Sequence, residues 1–74
     1  MLVFVFRRRP DERWIEAARR HGFEIYTADQ APPIGGKFVV VVGDEELAKR
    51  LGVAYLTEEE AEEFLKYLED HLPR

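Results

Sequence analysis

The sequence predicts an α/β protein, a three-layer sandwich built on a four-stranded parallel sheet in the order 2-1-3-4. Two apolar runs, Leu2–Phe6 and Lys37–Val42, lack the polar alternation of a one-sided strand and are typical of strands buried on both faces. Helical patterns separate the strands, and the full order is β-α-β-β-α-β-α. Right-handed crossovers then place the first and third helices on one face of the sheet and the second helix on the other.

The first half of the chain predicts a strand, a helix and a second strand. After the first strand comes "RRRPDERWIEAARRHG", in which Pro10 suits the first helical position and Gly22 the position just past the helix. Asp11 and Glu12 favour the positive end of the helix dipole. Phe23–Ala28 alternates weakly, as a strand near a sheet edge does, and "DQAPPIGG" is predicted to be a loop.

The second half predicts a central strand, a short helix, a fourth strand and a capped helix. Lys37–Val42 is mostly β-branched, Asp44 is a natural N-cap, and Gly52 closes the helix before the strand "VAYL". Thr57 and Glu60 form a capping box that starts the last helix. That helix carries one apolar stripe, which ends before Pro73 and consists of Ala61, Phe64, Leu65, Leu68 and Leu72.

The composition indicates one small domain, residues 1–74, that is not an enzyme. The chain has no cysteine and no serine, which removes the usual zinc frameworks and the two commonest nucleophiles. His21 and His71 lie near predicted helix ends, where imidazole commonly meets free carbonyl groups. We therefore expect no metal and no cofactor. Because so short a chain has a small core, regular packing or a homodimer has to stabilise it.

Charge and residue usage point to a cytoplasmic protein from a heat-adapted source. The chain has no asparagine, and 35% of its residues are charged. The apolar residues Leu2–Phe6 precede the arginines, the reverse of a secretory leader, and are too few to span a membrane. Residues 1–37 carry a net charge of +2 and residues 38–74 a net charge of −6. This asymmetry either orients a partner or reflects ordinary solvation of acidic helices.

The stretch "RRRP" is the candidate binding site. Its arginines leave the carboxyl end of the first strand at the start of a helix, the place where parallel α/β sheets bind ligands. One interpretation is that the three guanidinium groups hold a phosphate, for example on a DNA backbone or DNA end. The candidate anion-binding residues are Arg7, Arg8, Arg9 and Arg13. The other interpretation is a basic rim that forms surface ion pairs with Asp11, Glu12 or Asp44.

The segment Lys37–Leu65 resembles the BRCT domain, especially that of bacterial NAD-dependent DNA ligases. The family shows a strand ending in "VVG", a helix with "KL-K--ELGV" and then "-LTEEEFL"; this chain has "VVVVGDEELAKRLGVAYLTEEEAEEFL". The resemblance implies the sheet order given above. It also implies a non-catalytic module that docks a protein partner or a DNA end in DNA replication or repair. The alternative is a stand-alone regulatory or inhibitory protein that binds a protein partner through its acidic helices.

Two departures from the family bear on function. The family binds phosphate with Ser or Thr and Gly after the first strand and a Lys at the start of the second helix, where this chain has arginines and then Asp44, Glu45 and Glu46. Phosphopeptide recognition is therefore not carried over. The family also places a large side chain in the last helix where this chain has Ala61. We expect Trp14 of the first helix to fill that volume and to lie near Ala61 and Leu65.

Overall fold

The computed structural model describes residues 2–30 and 35–70 and contains four strands and three α-helices within those ranges. The strands are β1 (Leu2–Phe6), β2 (Glu24–Thr27), β3 (Phe38–Val42) and β4 (Ala54–Leu56). The helices are α1 (Glu12–His21), α2 (Glu45–Leu51) and α3 (Glu58–Asp70), with a short 3₁₀ turn at Ala28–Gln30.

The strands form one parallel sheet in the order β2-β1-β3-β4, which confirms the predicted topology. The central pair, β1 and β3, is matched over its full length, from Leu2 opposite Phe38 to Phe6 opposite Val42. β2 and β4 form the two edges. β1 lies between β2 and β3, so these two strands are joined by a crossover and do not form a hairpin.

Each face of the sheet carries its own hydrophobic core, because successive strand residues point to opposite faces. The α1/α3 face buries Phe4, Phe6, Val40 and Val42 together with Trp14, Ala17, Phe23, Ala61 and Leu65. The α2 face buries Val3, Val5, Val39 and Val41 with Leu47 and Ala48. The predicted placement of the helices is confirmed. Trp14 is 5% exposed and shares its core with Ala61 and Leu65, as expected.

The helix starts follow the predicted capping signals with one exception. The Thr57 amide donates to Glu60 Oε1 at 2.9 Å and the Glu60 amide donates to Thr57 Oγ1 at 3.0 Å, which confirms the capping box. The placement of Pro10 at the first helical position was wrong. Asp11 is the N-cap, and its carboxylate accepts from the Arg13 amide at 2.9 Å. Pro10 therefore precedes the cap, because an Asp side chain can satisfy a free helix amide and a proline cannot.

Some sequence predictions concern residues that the structure does not describe. The helix end at Pro73, the apolar position Leu72 and the helix-terminal His71 lie outside the described residues, as does part of the predicted loop. Within residues 2–30 and 35–70, no helix combines the length and the apolar character needed to cross a lipid bilayer.

Candidate anion-binding site

A cleft of about 510 Å³ opens at the carboxyl ends of β1 and β3. The chain leaves β1 through α1 towards β2 on one side, and it leaves β3 through α2 towards β4 on the other. β1 and β3 therefore flank the point where the strand order reverses, which is where open parallel sheets bind ligands. The cleft, called here the arginine cleft, is lined by Phe6, Arg7, Arg8, Arg9, Pro10, Asp11, Trp14, Val42, Gly43, Glu58, Ala61 and Glu62.

Three of the four predicted arginines line this cleft because β1 ends beneath it. Phe6 is the last strand residue and is 7% exposed, whereas the next three residues, Arg7–Arg9, are all exposed. The buried rings of Phe6 and Trp14 form part of the lining below them. The chain then turns into α1 through Pro10. The result is a basic rim above an apolar base.

The arginines of the basic rim form few ion pairs with carboxylates of the described residues. In the described part of the chain, only Arg9 of the three makes one, with Glu12 at 3.8 Å between Nη2 and Oε1. Both of these side chains are at least three-quarters exposed, and such pairs contribute little. Arg7 and Arg8 have no carboxylate among the described residues within ion-pair distance. Within the described residues, their charges are therefore not compensated by an ion pair.

The two aspartates considered as partners for the rim are used for helix capping. The Asp11 carboxylate accepts from the Arg13 amide, and the Asp44 carboxylate accepts from the Leu47 amide at 3.1 Å. Among the described residues neither forms an ion pair with Arg7, Arg8 or Arg9. The alternative interpretation was that Arg7–Arg9 only form surface ion pairs. Among the described residues, it is supported only by the exposed contact between Arg9 and Glu12.

Carboxylates also line the cleft, and those contributed by α3 were not predicted from the sequence. Glu58 and Glu62 of α3 reach it together with Asp11. Glu58 packs against Gly43, the residue after β3, whose φ of +78° disfavours a side chain and whose added Cβ would lie 3.2 Å from Glu58 Cγ. The Gly43 amide donates to the Leu56 carbonyl at 3.0 Å, which connects the residue after β3 to the end of β4. The cleft is therefore of mixed charge.

Arg13, the fourth candidate, lies elsewhere and binds α3. Its Nη1 is 2.9 Å from Glu62 Oε2, and its Nη2 and Nε donate to the two oxygens of Glu69 at 2.7 and 3.0 Å. The hydrogen bonds to Glu69 and, to a smaller extent, to Glu62 raise the pKa of Arg13 above its usual range. The hydrogen bond from Arg13 in turn lowers the pKa of Glu69. We call this group the Arg13 clamp; it joins α1 to α3.

The Arg13 clamp predicts a specific loss of stability in acid. Because the pKa of Glu69 is lowered in the folded state, its ionised carboxylate stabilises the fold. This stabilisation is complete above the unfolded-state pKa of about 4.3 and disappears as pH falls through the folded-state pKa. Glu69→Gln should therefore unfold at a lower temperature than the wild type at about pH 7. The difference in unfolding temperature between the two proteins should be smaller at about pH 2.5. Thermal unfolding followed by circular dichroism measures both.

Glu63→Gln is the matched control, because Glu63 is exposed and has no ion pair among the described residues. It should unfold close to the wild-type temperature at neutral pH. An equal gap between wild type and Glu69→Gln at both pH values would show that the clamp carboxylate does not titrate with folding.

The side chains that line the cleft fall into three chemical groups. They are arginines, carboxylates and apolar groups, without serine, threonine, cysteine, histidine or lysine. His21 ends α1 and lines a separate groove between α1 and α3. In residues 2–30 and 35–70, no group of three His, Cys, Asp or Glu residues is arranged to hold a metal ion. An anionic group held by guanidinium donors is the chemistry that this arrangement supports.

Comparisons with protein families, curated proteins and solved structures give no significant match for this chain. The BRCT resemblance of Lys37–Leu65 therefore stays a prediction from the sequence. Function has to be argued from the arginine cleft.

Proposed function

We propose that this chain is a non-catalytic binding module that holds a phosphate of a DNA end or nick in the arginine cleft, in DNA replication or repair. The observation that carries the proposal is the position of Arg7, Arg8 and Arg9 at the carboxyl ends of β1 and β3, with two of the three free of carboxylate partners among the described residues. The resemblance of Lys37–Leu65 to BRCT domains supports the DNA-repair setting.

The chemistry of guanidinium favours phosphate as the ligand. Arg presents planar N–H donors that match phosphate oxygens two at a time. The N-termini of α1 and α3 lie at the same edge of the sheet, so their dipoles add a positive potential there. The carboxylates of Glu58 and Asp11, which also line the cleft, limit its net positive charge, and we therefore expect weak binding.

The compactness of the basic rim favours an end or a nick over continuous duplex. Three adjacent arginines span only a few phosphates, so few counterions are released and one rim cannot follow a long backbone. The exposed face of α3 is strongly acidic and repels duplex that runs across it. A terminal phosphate is a monoester with a charge of about −1.5 to −2, so a compact group of guanidiniums attracts it more strongly than a single backbone diester.

The test is an NMR titration of ¹⁵N-labelled protein with a duplex carrying a 5′-phosphorylated nick and with the intact duplex, at about 50 mM salt. We expect amide shifts confined to Arg7–Arg13 that are larger for the nicked duplex and weaken steeply with added salt. The variant with Arg7, Arg8 and Arg9 changed to Ala should lose them. A control variant of equal net charge changes three exposed arginines of α1 and α2: Arg19, Arg20 and Arg50.

The control variant should keep the shifts, because its substitutions lie outside the cleft. Equal losses in both variants would show that binding follows net charge alone and would reject the cleft as the site. Absence of any shift at about 50 mM salt would reject DNA as the ligand.

The second candidate function is a small regulatory or inhibitory protein that binds a basic protein partner through its acidic helices. The observation that favours it is the outer face of α3, where Glu59, Glu63 and Asp70 are exposed and have no ion pair among the described residues. A protein retained from native extract by the wild type, and lost when these three become Gln, Gln and Asn, supports this function if nicked DNA gives no shift.

A further inference from the structure

We infer that Arg13 is a positioning residue for the arginine cleft. It holds the Glu62 carboxylate and so prevents Glu62 from forming ion pairs with Arg7–Arg9. The inference rests on the proposed function, because it concerns the affinity of that cleft for an anion. It gives Arg13 a role without direct ligand contact, since Arg13 does not line the cleft.

The geometry of the clamp fixes the orientation of the Arg13 guanidinium. Two of its nitrogens bind the two oxygens of Glu69, at 2.7 and 3.0 Å, which is a bidentate pairing. The remaining nitrogen, Nη1, then faces Glu62 Oε2 at 2.9 Å. Glu62 and Glu69 lie two helical turns apart on the same side of α3, so one guanidinium can reach both. Glu69 thus anchors the arginine, and the arginine holds Glu62.

Glu62 is the lining carboxylate on which the clamp acts. Asp11 is already engaged at the start of α1, and Glu58 packs beside Gly43. Glu62 lines the cleft, yet among the described residues it pairs only with Arg13 and lies outside ion-pair distance of the rim. Without Arg13, its flexible side chain carries an uncompensated negative charge at the rim. That charge competes with a ligand phosphate for the same guanidinium donors.

The experiment measures the affinity for the 5′-phosphorylated nicked duplex at about 50 mM salt in a double-mutant cycle. Arg13→Gln should weaken binding about threefold to fivefold, the upper part of the range for one partly exposed ion pair. Adding Glu62→Gln to that variant should restore the affinity to within about twofold of the wild type. Glu62→Gln alone should change the affinity by less than about twofold, since Arg13 already neutralises that carboxylate.

Leu68→Ala is the control for a loss of helix packing. It weakens the packing of α3 on the core but leaves Arg13, Glu62 and Glu69 in place, so its affinity should stay near the wild-type value. Failure of Glu62→Gln to rescue Arg13→Gln would overturn the inference, and wild-type binding would leave the proposed function standing. If Arg13→Gln does not fold, a gain of more than about threefold in Glu62→Gln alone overturns the inference. No binding by the wild type would reject both.

Discussion

We expect Leu65→Ala to lower the free energy of unfolding by about 2–5 kcal/mol. Leu65 is 0% exposed and lies between α3 and the sheet, in the core that contains Phe4 and Trp14. Truncation removes its buried methyl groups and leaves a cavity that the central strands cannot close. A domain of this size has only about 4–11 kcal/mol of stability in total. Urea unfolding followed by circular dichroism gives the value.

Leu68→Ala is the matched control, since Leu68 lies on the same helix and is only partly buried against that core. Its loss should be clearly smaller than that of Leu65→Ala. A loss below about 1 kcal/mol for Leu65→Ala would contradict the packing of α3 on the sheet.

Trp14→Ala should lower the free energy of unfolding by about 3–5 kcal/mol. The indole is 5% exposed, and its ring centroid lies 5.0 Å from that of Phe6, 5.1 Å from Phe4 and 6.4 Å from Phe23. The substitution therefore removes one member of an aromatic group whose contacts stabilise beyond simple burial. Far-UV circular dichroism in guanidinium chloride is the suitable measurement, because the tryptophan fluorescence is lost with the residue.

Trp14→Phe separates the aromatic contacts from the volume of the indole. It keeps a ring against Phe4 and Phe6 and should lose much less stability than Trp14→Ala. Equal losses for the two variants would mean that the aromatic contacts of this position contribute nothing measurable. A loss below about 1 kcal/mol for Trp14→Ala would contradict its place in the core.

The fold was predictable because local signals and the sheet pattern agree. The apolar runs of β1 and β3 identify central strands, and the caps at Asp44 and Thr57 identify the starts of α2 and α3. The start of α1 was misplaced because Pro10 and Asp11 are both good candidates near a helix start. Whether the helix begins at Pro10 or after Asp11 depends on the hydrogen bond that the Asp11 carboxylate accepts from the Arg13 amide.

The site was predictable only in part. Arg7–Arg9 could be placed at the carboxyl end of β1, because strand ends follow from the apolar pattern. The role of Arg13 could not be read in the same way. Its partners, Glu62 and Glu69, are distant in sequence and meet it only after α1 and α3 pack on one face. The two-turn spacing of those glutamates was the single available signal, and many surface carboxylates share such a spacing.

The parallel sheet has a consequence for how the chain folds. Among the described strands no two that are consecutive in sequence form a hairpin, and every pairing spans at least one helix. Each pairing must therefore close a long loop before its first hydrogen bond forms. The chain should fold more slowly than a helical bundle of equal length, which takes about microseconds to milliseconds. Until the crossovers close, the apolar strands β1 and β3 stay open to other chains, so aggregation competes with folding at high protein concentration.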